Sequence, residues 1–140
     1  MEFNKQTLIE TLQSLPNIIE TYFENIPDEA LDKRRNESSW TIREHLYHIV
    51  SVQEMLYLRM LKIKNEENPV ITPYFPENES ERETLYESTT KAFVHYKEFR
   101  KKQVSLINQM TEVELKKEAK HDEYLKYNIP LIINHMIFHE

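Results

Sequence analysis

The chain has no cysteine and no glycine. Without cysteine there are no disulfides, no thiolate metal ligands and no cysteine nucleophile, so any thiol chemistry needs a thiol carried in on a cosubstrate. Without glycine, tight hairpins and phosphate-cradling loops lose the residue that best takes positive φ or admits close backbone approach. A hairpin-rich β fold and a P-loop are both disfavoured. Concentrated positive charge is missing too: 18 Lys and Arg stand against 24 Asp and Glu, a net charge of −6. No nucleic-acid partner is expected, because phosphate binding needs clustered cations. The one basic run, Arg100-Lys101-Lys102, reads as a solvated helix face. The least polar stretch, Ile129 to Phe138, is interrupted by Asn134 and His135 and is too short to span a bilayer. The opening MEFNKQTLIE lacks the charged-then-apolar layout of a secretory signal. The expectation is a soluble cytoplasmic protein with no membrane partner, its 140 residues forming one domain, 1–140.

What is present is helical patterning. Asn4 is the predicted N-cap of a helix reaching about Glu24, with Leu8, Leu12, Leu15, Ile19 and Tyr22 at helical spacing. Pro16 inside it is expected to kink the helix or break its bonding locally. IPDEALDKRRNESSW reads as a connection holding one helical turn, with Ser38 or Ser39 capping the next helix. That helix is predicted from about Trp40 to Lys64, on a stripe of Ile42, Leu46, Ile49, Leu56, Met60 and Ile63. Pro69, Pro73 and Pro76 mark a loop. A third long helix is expected from about Ser80 to Met110, with Leu85, Ala92, Tyr96, Phe99, Leu106 and Met110 facing inward. Thr111 caps a short segment, and EAKHDEYLKY fits no single element.

Asn128 followed by Ile129-Pro130 starts the last helix: asparagine accepts from free backbone N–H groups, and proline in the first turn sacrifices no needed donor. The fold class is therefore all-α, a four-helix bundle with a short last helix. From Ile129 to Glu140 that helix is about 18 Å long, roughly half the length of its neighbours by the same pattern reading. Either the remaining core is closed some other way, or the native polypeptide continues past Glu140.

Six histidines occur, and two pairs stand out: His45 and His48 in REHLYHIV, and His135 and His139 in the final NHMIFHE. A metal site inside a bundle takes ligands from facing helices, often a pair one turn apart plus one from elsewhere. On the last helix the stripe is Ile129, Ile132, Ile133 and Met136; His139 falls on its flank, Glu140 within it, and His135 farther round. On the second helix the wheel places His45 inside the apolar arc and His48 at its margin. His95 reads as a flank residue of the third helix and His121 as part of a solvated loop. A histidine pair on one helix is more often packing or surface than ligation; two pairs on separate helices of one small bundle bring the two readings level.

IPDEALDKRRNESSWTIREHLYHIVSVQEMLYLRM resembles the region leading into helix two of the DinB-like (YfiT-like) family of metal-binding four-helix bundles, with Trp40 entering the helix and His48 in Tyr47-His48-Ile49. NIPLIINHMIFHE resembles the start of that family's last helix, where a histidine–glutamate pair leads to a second histidine one turn on. His139-Glu140 matches the first half. The resemblance implies three histidine ligands to a divalent metal, one from helix two and two from helix four, and His48 and His139 are the matching positions. The third has no counterpart before the sequence stops, a departure from the family's pattern, and His135 is its substitute as the i−4 partner of His139. The resemblance favours His48 over His45, which stays in reserve.

Two functional readings follow. The resemblance implies a metal-dependent enzyme: a thiol S-transferase using a low-molecular-weight thiol of the bacillithiol type, or a hydrolase, with zinc, nickel or manganese, a small-molecule substrate and a homodimeric state. Three neutral imidazoles would leave such an ion open positions and most of its charge. Glu54 and Glu140 are candidates for supporting or base roles, and Trp40, Met55, Met136 and Phe138 for pocket walls. The other reading is a non-catalytic helical bundle that binds a small ligand or a protein through an incomplete metal site.

Overall fold

The computed structural model describes residues 4–74, 82 and 84–140. Among them the elements run α1 (Lys5–Glu24), α2 (Asp28–Leu31), α3 (Ile42–Asn65), β1 (Val70–Ile71), α4 (Thr89–Gln109), α5 (Glu112–Lys116), β2 (Lys120–His121) and α6 (Ile129–His139). The four longer helices close a ring, α1 on α4, α4 on α3, α3 on α6 and α6 back on α1. This is the expected four-helix bundle.

Side-chain caps set most helix starts. Asn4 accepts from Thr7 N at 3.1 Å, and Asn128 from Leu131 N at 3.0 Å. The cap of α3 is neither Ser38 nor Ser39 but Thr41, which accepts from Glu44 N at 3.1 Å while Glu44 Oε2 accepts from Thr41 N at 2.6 Å. This reciprocal box outcompetes a lone serine because it satisfies two orphan donors, and Ser38 bonds Asn36 instead. The third long helix begins at Thr89, later than expected, because Ser88 accepts from Lys91 N; Leu85 lies before it, 48% exposed. In α1 the buried face is Ile9, Leu12 and Pro16, continued by the partly buried Ile19 and Phe23, and Tyr22 points out. Steps of three and four through these five residues make a straighter stripe than the one through Tyr22. The proline-rich loop falls partly outside the described residues; where described, Val70–Ile71 pairs in parallel with Lys120–His121. EAKHDEYLKY thus contributes a strand, and Ala119 bridges Tyr127.

The core has two halves. One gathers Ile129, Ile132, Ile133 and Met136 of α6 with residues of α1, α3, α4, α5 and β1; each such fully buried side chain contributes about 1.5–3 kcal/mol. The other, Leu46, Tyr47, Val50, Ala92, Phe93 and Tyr96 with Ile19 and Phe23, holds no α6 residue. Aromatic contacts fill it instead, Phe23 edge-on to Phe93 and Tyr47 to Tyr86. This half of the core is built by α1, α3 and α4.

A polar layer lies at the end of α6. Arg100, 3% exposed, is not on a solvated face. Its guanidinium meets Glu140 Oε1 at 2.5 Å, Gln53 at 3.3 Å, Gln103 at 2.9 Å and the Leu12 carbonyl at 2.6 Å. Tyr96 OH donates to Glu140 Oε2 at 2.6 Å, and burial is the main reason its phenol is pushed far above the usual range. A buried carboxylate is tolerated only when paired and hydrogen-bonded, and here both Glu140 oxygens are used.

Candidate metal centre

Three imidazoles meet where α3 faces α6. Gln53, midway along α3, bonds Glu140, and Arg59 bonds Tyr127 just before α6, so the two helices run antiparallel and the end of α6 meets the middle of α3. His48 then lies against His139, ring centroids 5.1 Å apart and 73° between planes. His135, one turn back on the same face of α6, stacks on His139 at 5.2 Å and 20°. Trp40 braces His48 from the other side at 5.2 Å, and Arg82 sits 3.4 Å above the Trp40 ring.

Burial first, then the neighbouring His139 and Arg82, push the His48 imidazole down to about 4. His135 is also lowered, by partial burial, His139 and Arg59. The His48 ring is therefore neutral at pH 7, the form that binds a metal, and His135 is biased the same way.

The three histidines share one wall of a cavity of about 510 Å³, with Val52, Met55, Leu131 and Phe138 adding apolar surface. Arg59, His121, Tyr124 and Tyr127 also line it. The cavity lies beside the core, along the face of α3 through residues 48, 52, 55 and 59, and a wheel that seeks the core leaves His48 at the margin.

His45, which the wheel favoured, is exposed and packs on Trp40 at 5.1 Å. It lies in the first turn of α3, on a separate cavity that it lines with Ala30 of α2, Arg34 and Trp40. Of the expected walls, Met55 and Phe138 line the cavity, Met136 is core, and Trp40 backs His48. Glu54 is exposed and away from this wall, while Glu140 is consumed by the polar layer. His95 flanks α4 against Phe99, as expected. His121 is buried, 8% exposed, and stacked on Tyr127 at 4.7 Å, rather than solvated. Its pairing through β2 is long-range, and no local pattern signals it.

The donor chemistry suits a divalent ion: neutral imidazoles from two helices, an apolar flank and an adjoining cavity. As placed, His135 stacks on His139 while His48 meets His139 edge-on, and among the described residues no three His, Asp or Glu side chains are grouped closely enough to hold an ion.

A four-helix bundle with histidines of its second and fourth long stretches at one cavity defines a class, and comparison places the chain within it. The chain belongs to the DinB superfamily, whose family model matches residues 11–140. It is 25% identical over 118 residues to an Oceanobacillus iheyensis protein named "putative metal-dependent hydrolase", covering 82% of this chain and 67% of that one. A Bacillus mycoides protein of the same description is 25% identical over 115 residues, 82% of this chain and 66% of the relative. The chain thus spans about two-thirds of their length. YfiT from Bacillus subtilis, described as "a probable metal-dependent hydrolase with an unusual four-helix bundle topology", superposes with a TM-score of 0.80 at 21% identity, covering 96% of this chain and 82% of that chain. That likeness establishes the fold. No helix among the described residues is long and apolar enough to cross a membrane.

Proposed function

We propose that the chain is a metal-dependent hydrolase of small molecules, with His48, His139 and His135 holding one divalent ion of the zinc, nickel or manganese kind. The observation that carries this reading is the meeting of three imidazoles from α3 and α6 on one cavity wall. The names of the curated relatives support it. A divalent ion held there supplies Lewis-acid polarisation and lowers the pKa of a bound nucleophile. Trp40 fixes the His48 ring, and the i, i+4 spacing puts His135 and His139 on the same side of α6. The apolar flank excludes water from the substrate body, which strengthens polar contacts inside the cavity.

Water as the nucleophile gives hydrolysis. A low-molecular-weight thiol at the same position gives S-transfer, and the absence of cysteine means that thiol comes from outside. The test is turnover of a panel of small carboxylic esters and amides by protein loaded separately with zinc, nickel and manganese, beside conjugation of glutathione or bacillithiol to 1-chloro-2,4-dinitrobenzene. Turnover abolished by chelation and by His48→Ala supports the enzyme, and the active panel separates hydrolysis from thiol transfer. Stoichiometric loading with no turnover in either panel, or no loading at all, points to a non-catalytic ligand-binding bundle.

A further inference from the structure

The same cavity carries a cation that has no ion-pair partner among the described residues. Arg59 follows His48 by eleven residues on the same face of α3, about 16 Å along the axis. Its side chain leans back towards the helix start, as helical side chains do, and its charge is felt by His135. The guanidinium is partly buried. It donates to Tyr127 OH and to the Thr72 carbonyl, each at 2.8 Å, and lies 5.6 Å from the Tyr127 ring centroid. These neutral partners fix its plane but leave its charge uncompensated: among the described residues it forms no ion pair. Glu123, exposed on the same cavity, makes none with it.

A second donor, His121, lines the same cavity and, like Arg59, packs on Tyr127. His121 Nδ1 accepts the backbone N–H of Glu123 at 3.0 Å, so the neutral ring keeps its proton on Nε2. Tyr127 stacks on this ring and Tyr124 meets it edge-on at 5.0 Å, which holds its orientation. Among the described residues Nε2 has no partner, yet no fully buried side-chain nitrogen or oxygen there is left unpaired. It therefore reaches solvent, and His121 lines the cavity. A partly buried cation costs free energy unless something neutralises it, and a fixed guanidinium fork matches two oxygens of one anionic group.

We infer that Arg59 and His121 form an anion-binding subsite, so that the substrate is a small molecule bearing a carboxylate or phosphate at the end remote from the imidazoles. Met55 of α3 and Leu131 of α6, which lie along their helices between the two ends, suit an apolar spacer. Naming this anion as part of the substrate rests on the metal-centre reading above; the subsite itself needs no metal.

The test is calorimetric titration of zinc-free protein with benzoate, phenyl phosphate and the neutral benzyl alcohol, on wild type, Arg59→Met and Arg59→Lys, with zinc uptake measured on the same preparations. Saturable binding of at least one anion is expected, weakened about tenfold or more by Arg59→Met, while Arg59→Lys retains most of it. Preference for benzoate or for phenyl phosphate identifies the carboxylate or the phosphate. Wild-type binding of both anions no tighter than benzyl alcohol overturns the inference, and does so even if Arg59→Met fails to fold. An unchanged anion affinity in a folded Arg59→Met also overturns it. Anion binding without zinc uptake contradicts the metal centre alone, and zinc uptake without anion preference contradicts the subsite alone.

Discussion

Arg100 donates to the carbonyl oxygen of Leu12 at 2.6 Å, and Leu12 is the residue whose helical donor would have been Pro16. Proline lacks the N–H that an α-helix needs at i+4, so this carbonyl is orphaned inside α1. The same guanidinium neutralises Glu140 at the end of α6 and bonds Gln53 of α3. One side chain of α4 thus ties three other helices together at the level where the two halves of the core meet.

Replacing Arg100 with Met is expected to cost about 3–5 kcal/mol, because it leaves a buried carboxylate uncompensated and the Leu12 carbonyl unpaired. Adding Pro16→Ala to that variant restores the missing donor and is expected to recover about 1 kcal/mol of it. Urea unfolding of the single and double variants measures both; a loss under about 1 kcal/mol for Arg100→Met would mean the network is not what couples the helices.

The entry to α3 separates two capping schemes. Thr41→Ala is expected to destabilise the protein by about 1 kcal/mol, and Ser38→Ala by a few tenths at most. Thermal melts of the two variants decide between them, and the reverse order would place the cap at Ser38.

Glu44 links that cap to pH. The hydrogen bonds from Arg34, and then those from Thr41, hold its carboxyl below the ordinary glutamate range. The unfolded chain therefore binds this proton first as pH falls. The stability it contributes is present above about 4.5 and is lost as pH drops through the lower folded-state value. Glu44→Gln is expected to flatten the acid limb of a stability-against-pH curve over that window, and an unchanged limb would contradict it.

Local signals carried much of this architecture. Asn4, Thr111 and Asn128 are caps in sequence and in structure, and the four-helix arrangement follows from apolar stripes that neighbouring turns determine. The misses are long-range. Arg100 reads as one of three surface cations until Glu140, forty residues on, is brought against it. His121 reads as loop until β2 pairs with β1, fifty residues earlier. A two-residue parallel strand has no periodicity to detect. At the site, the juxtaposition of His48 with His139 depends on where α6 stops along α3, and no helical wheel records axial position. The wheel places His45 inside the apolar arc for that reason, and in the structure it is exposed.

The most direct measurement is metal content per chain, by elemental analysis after reconstitution with zinc, nickel and manganese, for wild type, His48→Ala and His45→Ala. The metal-centre reading predicts about one equivalent in wild type and in His45→Ala, and loss of that metal in His48→Ala. No metal in the wild type, or full metal in His48→Ala, would contradict it.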